Sequence, residues 1–294
     1  MGYLFLSVAL LTGAVKGYCG KRMGSYAKGV RGAVKMNLLR MALCVLFGLV
    51  MIFALGEQGQ LRLSGKLIGI SLLSGVSTAV FVVSWLLAVR KSAYMLLDVF
   101  QMLGTLLPML LGRLLFQESI AWHQWLGYGV LLCAVMLLCA YNNTVKIRLN
   151  AASILLLIVS GAANGAADFS QKLFVKALPG TSAAVFNLYT YVFAGLTLLM
   201  IVLLLPQREK KSGKAARSGY AYIAVMAAAL ILNSYFKTLA ASHLSSAQLY
   251  PLNQGMGLIL SSLMAHFLFH ERLTKRAIGG IALAFAGLMI MNML

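Results

Sequence analysis

Two glutamines, Gln101 and Gln254, stand 153 positions apart, each inside an otherwise apolar stretch. A primary amide offers two N–H donors and an accepting oxygen without carrying charge, which suits it to a zwitterionic or heteroaromatic solute where water is scarce. Gln254 shares its turn with Asn253 and Tyr250, and Pro251 between them interrupts helical hydrogen bonding and releases a backbone carbonyl. Gln248 lies one turn earlier, while Asn187, Tyr189 and Trp85 are of a type that walls a ligand cavity. Charged candidates at membrane depth are Lys16, Arg40, Asp98, Asp168 and Lys237. A charge at the bilayer centre costs ~2.5–3.5 kcal/mol on insertion scales, so each is a candidate for a charge or coupling site. Four of them also have a plainer reading. Lys16 and Lys237 are close enough to span ends to snorkel. Asp98 lies one turn in from the loop that carries Arg90 and Lys91, with which it could pair, and Asp168 has Lys172 four residues on, the spacing of a helical ion pair.

Other chemistries find little support. No phosphate-binding GxxxxGK[ST], no GxSxG elbow and no HExxH is present, and Asp and Glu total 6. The chain is therefore expected not to be an enzyme, and no cofactor is implied. His266 and His270 share a helical face without a nearby acidic or cysteine partner, so no metal site is expected. The four cysteines, Cys19, Cys44, Cys133 and Cys139, lack metal-ligand spacing and read as small buried hydrophobes.

The elements that must position these residues are membrane helices. Of 294 residues, 61% are hydrophobic and 11% charged, with a mean hydropathy of +0.88, far from the roughly 25% charged of a soluble domain. Apolar runs of about 20 residues, the length that crosses a bilayer core, are predicted at 2–20, 33–55, 67–89, 93–116, 123–141, 151–175, 182–205, 219–241, 246–269 and 275–293. The first lacks a basic leader and reads as a span rather than a secretory signal. Nearly continuous apolarity over Leu38–Leu55, broken by Arg40, argues against the alternation of a membrane barrel. The expected fold is an all-α polytopic membrane protein of about ten helices.

These ten fall into two sets of five, residues 1–144 and 145–294. Glu118 pairs with Glu271 and Gly127 with Gly280 at an offset of 153; Gly13 and Gly17 pair with Gly161 and Gly165 at 148, and Asn37 with Asn187 at 150. Five spans return the chain on the opposite side, so the second set is expected to be inverted. Inverted repeats are the architecture of many secondary transporters, whose sites lie where the repeats meet. The glycines read as small-xxx-small packing surfaces. Glu118 and Glu271 read as capping or loop-fixing groups, and Thr274 as a helix N-cap.

The second half resembles EamA-type members of the drug/metabolite transporter superfamily. The residues that carry the resemblance are Ser246 to Gly257, Phe269-His270-Glu271-Arg272-Leu273-Thr274, Gly280 and Ala286-Gly287. The first half keeps, in order, Arg40-Met41-Ala42, Ala88, Ser92-Ala93, Pro108, Glu118 and Gly127. Tyr250 and Gly255-x-Gly257 are also similar to the third helix of small multidrug resistance proteins, with Asn253 where those carry Trp. Neither Gly13 nor Asn164 supplies the acidic residue of their first helix. The resemblance implies transport and leaves the substrate open.

The function expected is secondary-active transport of a small polar organic metabolite by alternating access, the alternative being organic cations held by Asp168. Expected partners are the lipid bilayer, a small-molecule substrate, a coupling ion (proton or sodium) and a second copy of the chain as a homodimer. The net charge of +19 lies mainly beside spans, and the cluster Arg208, Lys210, Lys211, Lys214, Arg217 fits lipid headgroups better than nucleic acid. Lys and Arg concentrate in the odd-numbered connections. The positive-inside rule then places both termini outside a bacterial cytoplasmic membrane.

Overall fold

Helix is the one regular conformation among the described residues, as expected of a chain whose backbone groups must be satisfied without water. The structure is a computed structural model that describes residues 1–24, 29–62, 64–90, 94–140, 151–205, 217–269 and 275–292. Its helices are α1 (Gly2–Gly24), α2 (Gly29–Ala54), α3 (Gly65–Arg90), α4 (Tyr94–Gly104), α5 (Leu106–Phe116), α6 (Trp122–Ala140), α7 (Ala151–Ala177), α8 (Ala183–Leu204), α9 (Arg217–His243), α10 (Ser246–Phe269) and α11 (Lys275–Met291). Ser92, Ala93's placement, His270, Glu271, Thr274 and the basic cluster from Arg208 to Lys214 lie outside the described residues, as does the side chain of Asp98.

Seven of the expected spans reappear among the described residues as segments long and apolar enough to cross a membrane, and the fifth and tenth as the shorter apolar helices Trp122–Leu137 and Ile278–Met291. The ninth is α10, whose 24 residues include Pro251. The fourth divides at Thr105 into α4 and α5. Pro108 has no N–H for the carbonyl of Gly104, and its ring crowds that carbonyl, so the helix breaks one turn upstream.

The chain folds into two compact units: Met1–Val83 with Ser170–His243, and Ser84–Phe169 with Leu244–Leu294. Each draws helices from both sequence halves. In the first unit α2 packs along α8 and α1 along α9; in the second, α6 packs along α11 and α5 against α10. Three of these pairs, α2 with α8, α5 with α10 and α6 with α11, join segments that the expected repeat would make equivalent. The core of the first unit gathers Ile52, Leu67, Phe174, Val185, Phe186 and Leu188, with the Phe174 and Phe186 rings stacked at 4.3 Å. That of the second gathers Met102, Met109, Tyr128, Leu131, Leu258, Ile259, Leu288 and Met291.

Glycine matters where backbones meet. A Cβ on Gly104 would stand 2.2 Å from the Gly161 carbonyl oxygen, and one on Gly165 would stand 2.1 Å from that of Gly104. The expected packing role of Gly161 and Gly165 is thus realised at the crossing of α7 with α4. Gly17 faces open space instead, and Gly13 leaves room for the Asn233 amide.

The two carboxylates with described contacts sit at helix starts, where N–H groups and the helix dipole favour negative charge. Glu118 Oε2 accepts from Ser246 N at 2.7 Å, at the beginning of α10. This is the loop-fixing role expected of Glu118, exerted on a distant helix. Gln117, at φ 54°, turns the chain after α5. Ser182 caps α8 by accepting from Ala184 N at 3.0 Å, and its hydroxyl donates to Glu57. Cys19 and Cys44 are buried as expected, but Cys133 is exposed on α6.

Candidate functional site

In the second unit, Gln254 Nε2 on α10 donates to Gln101 Oε1 on α4 at 3.3 Å, and both side chains are half-buried. Each sits three residues from a helix irregularity: Gln101 before Gly104, the last residue of α4, and Gln254 after Pro251. The break at Thr105 is tied down at the Met102 carbonyl. The Met102 carbonyl accepts from Thr105 N at 3.0 Å, from Thr105 Oγ1 at 2.7 Å and from Tyr128 OH at 2.6 Å. Gln101 is thereby held at a fixed height by groups that make no use of its amide. One hydrogen bond uses one donor and one lone pair, so the pair retains further donors on Gln101 Nε2 and acceptor capacity on Gln254 Oε1.

The first unit holds a file of buried polar side chains on α2, α8 and α9. Asn187 Nδ2 donates to Ala183 O at 2.8 Å and to Thr238 Oγ1 at 3.4 Å. Tyr191 OH meets Ser234 Oγ and donates to the Leu230 carbonyl at 3.3 Å. Cys44 Sγ donates to Ala227 O at 3.5 Å. One turn back on α2 is Arg40, 7% exposed, whose Nη1 points to Met226 Sδ at 3.7 Å. Beside the file, Asn233 Nδ2 donates to Ala9 O at 2.6 Å, joining α9 to α1. Lys172, 3% exposed, donates from Nζ to Ala241 O at 3.1 Å. There it meets the last carbonyls of α9, where a cation is favoured by the helix dipole.

Comparison with known proteins gives these sites a setting. Residues 151–293 match the model of the EamA-like transporter family. They form an EamA-like transporter family domain. No curated protein matches the chain. A solved structure titled only "Crystal structure of protein" superposes with a TM-score of 0.80 over 99% of this chain and 96% of its own, at 13% identity. That likeness is one of fold alone, over nearly the whole chain. The domain and the apolar helices together support an integral membrane transporter of the drug/metabolite transporter type.

Within the EamA-like half, Tyr250 is fully buried in the second unit, and Asn253 is half-buried beside Gln254. Gln248 is engaged in a capping box: its Oε1 accepts from Ser245 N at 3.3 Å while its own N–H reaches Ser245 Oγ at 3.3 Å. Asn187 belongs to the polar file, and Tyr189 packs against the core of the first unit. Asp168 is 5% exposed on α7. Outside this half, Trp85 on α3 and Lys16 on α1 are half-buried, as is Lys237 on α9 within it. Among the described residues no cluster of three or more metal-ligating side chains occurs. Tyr191, Ser234 and Thr238 do not stand out in the sequence by type, while Cys44 reads there as a small buried hydrophobe and Lys172 as an ion-pair partner of Asp168. Their signal is spacing: Arg40 with Cys44, Asn187 with Tyr191, and Ser234 with Thr238 are all polar pairs at i,i+4, one helical face each.

Proposed function

We propose that the chain is a secondary carrier for a small polar organic metabolite, amino-acid-like or nucleobase-like, which it moves by alternating access. The observation that carries this reading is the Gln101–Gln254 hydrogen bond, made by residues 153 positions apart at equivalent places in the two repeats. Two amides so joined offer a donor and an acceptor side by side, matching the edge of a zwitterion or heterocyclic amide. Inverted five-helix halves, termini outside a bacterial cytoplasmic membrane, coupling to a proton or sodium and assembly as a homodimer complete the proposal. Asn253, Tyr250 and Trp85 would add walls around the amides.

A second reading, transport of organic cations, draws support from the burial of the Asp168 carboxylate on α7, since an ionisable group at membrane depth is functional by default. Reconstituted protein decides between carrier and conductor. Saturable counterflow of a labelled solute across liposomes is expected, with a solute panel of amino acids, nucleobases and choline-like cations. Ohmic current without saturation would overturn the carrier reading, and counterflow confined to choline-like cations would replace the amide reading by the Asp168 one.

A further inference from the structure

The geometry points to Arg40 as the base of a binding site for a small monoanion, a halide or a carboxylate, inside the α2–α8–α9 unit. Arg40 lies 11 residues from the start of α2 and 14 from its end, about 17 and 21 Å along the axis at 1.5 Å per residue. Well inside the helix packing, the position suits a small anion from solution rather than a bulky lipid phosphate.

Among the described residues the guanidinium has no charge partner there. It is 7% exposed, its Nε has no hydrogen-bond partner, and its Nη1 rests on the thioether of Met226 at 3.7 Å. A thioether is a weak acceptor on a flexible chain, a group that a better acceptor displaces at little cost. Glu57 is the one acidic side chain among the described residues of this unit. It lies beyond the end of α2, where it accepts from Ser182. The neighbouring polar groups are engaged with one another, Cys44 with Ala227 O and Tyr191 with Ser234. An uncompensated buried cation is strongly destabilising, and a bound anion relieves it. Arginine's planar fork of donors matches a carboxylate bidentately, as a lysine ammonium does not. The proposal concerns only the first unit and goes beyond the amide-pair reading.

The test is thermal unfolding of the full-length protein in micelles, followed by tryptophan fluorescence, in potassium chloride or potassium acetate balanced to constant ionic strength with bulky potassium lactobionate. The wild-type midpoint is expected to rise and saturate. Arg40→Met should lose that response and, in lactobionate alone, be at least as stable as wild type. Arg40→Lys should shift half-saturation at least tenfold. A response to chloride alone identifies an inorganic ion, and one to acetate identifies a carboxylate solute. Equal responses in wild type and Arg40→Met, no saturable response in wild type, or an Arg40→Met midpoint lowered equally in every salt would overturn the site. Should Arg40→Met fail to fold, an unchanged half-saturation in Arg40→Lys does the same. Gln254→Ala should keep the anion response whether or not it transports, so failure of either reading leaves the other standing.

Discussion

Replacing Gln101 and Gln254 by leucine, singly and together, separates a strut from a solute contact. The 3.3 Å bond between them joins two half-buried amides on different helices, and such bonds in membrane proteins contribute about 0.6 kcal/mol on average and up to about 1.7. Each single variant should cost roughly 1–3 kcal/mol of stability, because it leaves a partly buried amide without its partner. The double variant removes both partners and should return close to wild type. Transport should behave differently. A hydrogen bond from a charged solute group is worth about 1.5–3 kcal/mol, and 1.4 kcal/mol is tenfold. Each single variant should therefore lose about 10- to 100-fold in kcat/KM, and the double more than either. The measurements are unfolding midpoints in micelles and initial counterflow rates in liposomes. Transport that recovers in the double variant along with stability would show the pair to be only an interhelical strut.

Two further outcomes test the packing. Gly104→Ala should sharply lower the thermal midpoint, since its Cβ would meet the Gly161 carbonyl at 2.2 Å. Gly17→Ala, facing open space, should leave the midpoint unchanged or raise stability by up to about 1 kcal/mol. Ser182→Ala removes the α8 cap and the Glu57 partner together and should cost about 0.5–2 kcal/mol, read from the same unfolding curve.

Much of the fold was legible because apolar length is a local property: runs of about 20 residues foretold helices within a few positions. The break at Thr105 was less so. Pro108 marked it, but the Tyr128 hydroxyl that satisfies the Met102 carbonyl comes from 26 residues away. The Gln101–Gln254 contact was readable because repetition turns an offset into a meeting point. The polar file was not, because Ser, Thr and Cys are common in membrane helices and become informative only when their burial is known. Glu118 shows the same limit. Its type and place suggested a cap, while the helix it caps, α10, begins 128 residues later.

The division of the fold into units that each mix both halves bears on how such a chain can be assembled. The core of the second unit needs Met102, Met109, Tyr128 and Leu131 from one half and Leu258, Ile259, Leu288 and Met291 from the other. The first unit sets α1, α2 and α3 against α8 and α9. A single half of this sequence can therefore close neither core. If the chain is cut between residues 141 and 150, the fragments must find each other in the bilayer, helix for helix, before either has a folded interior.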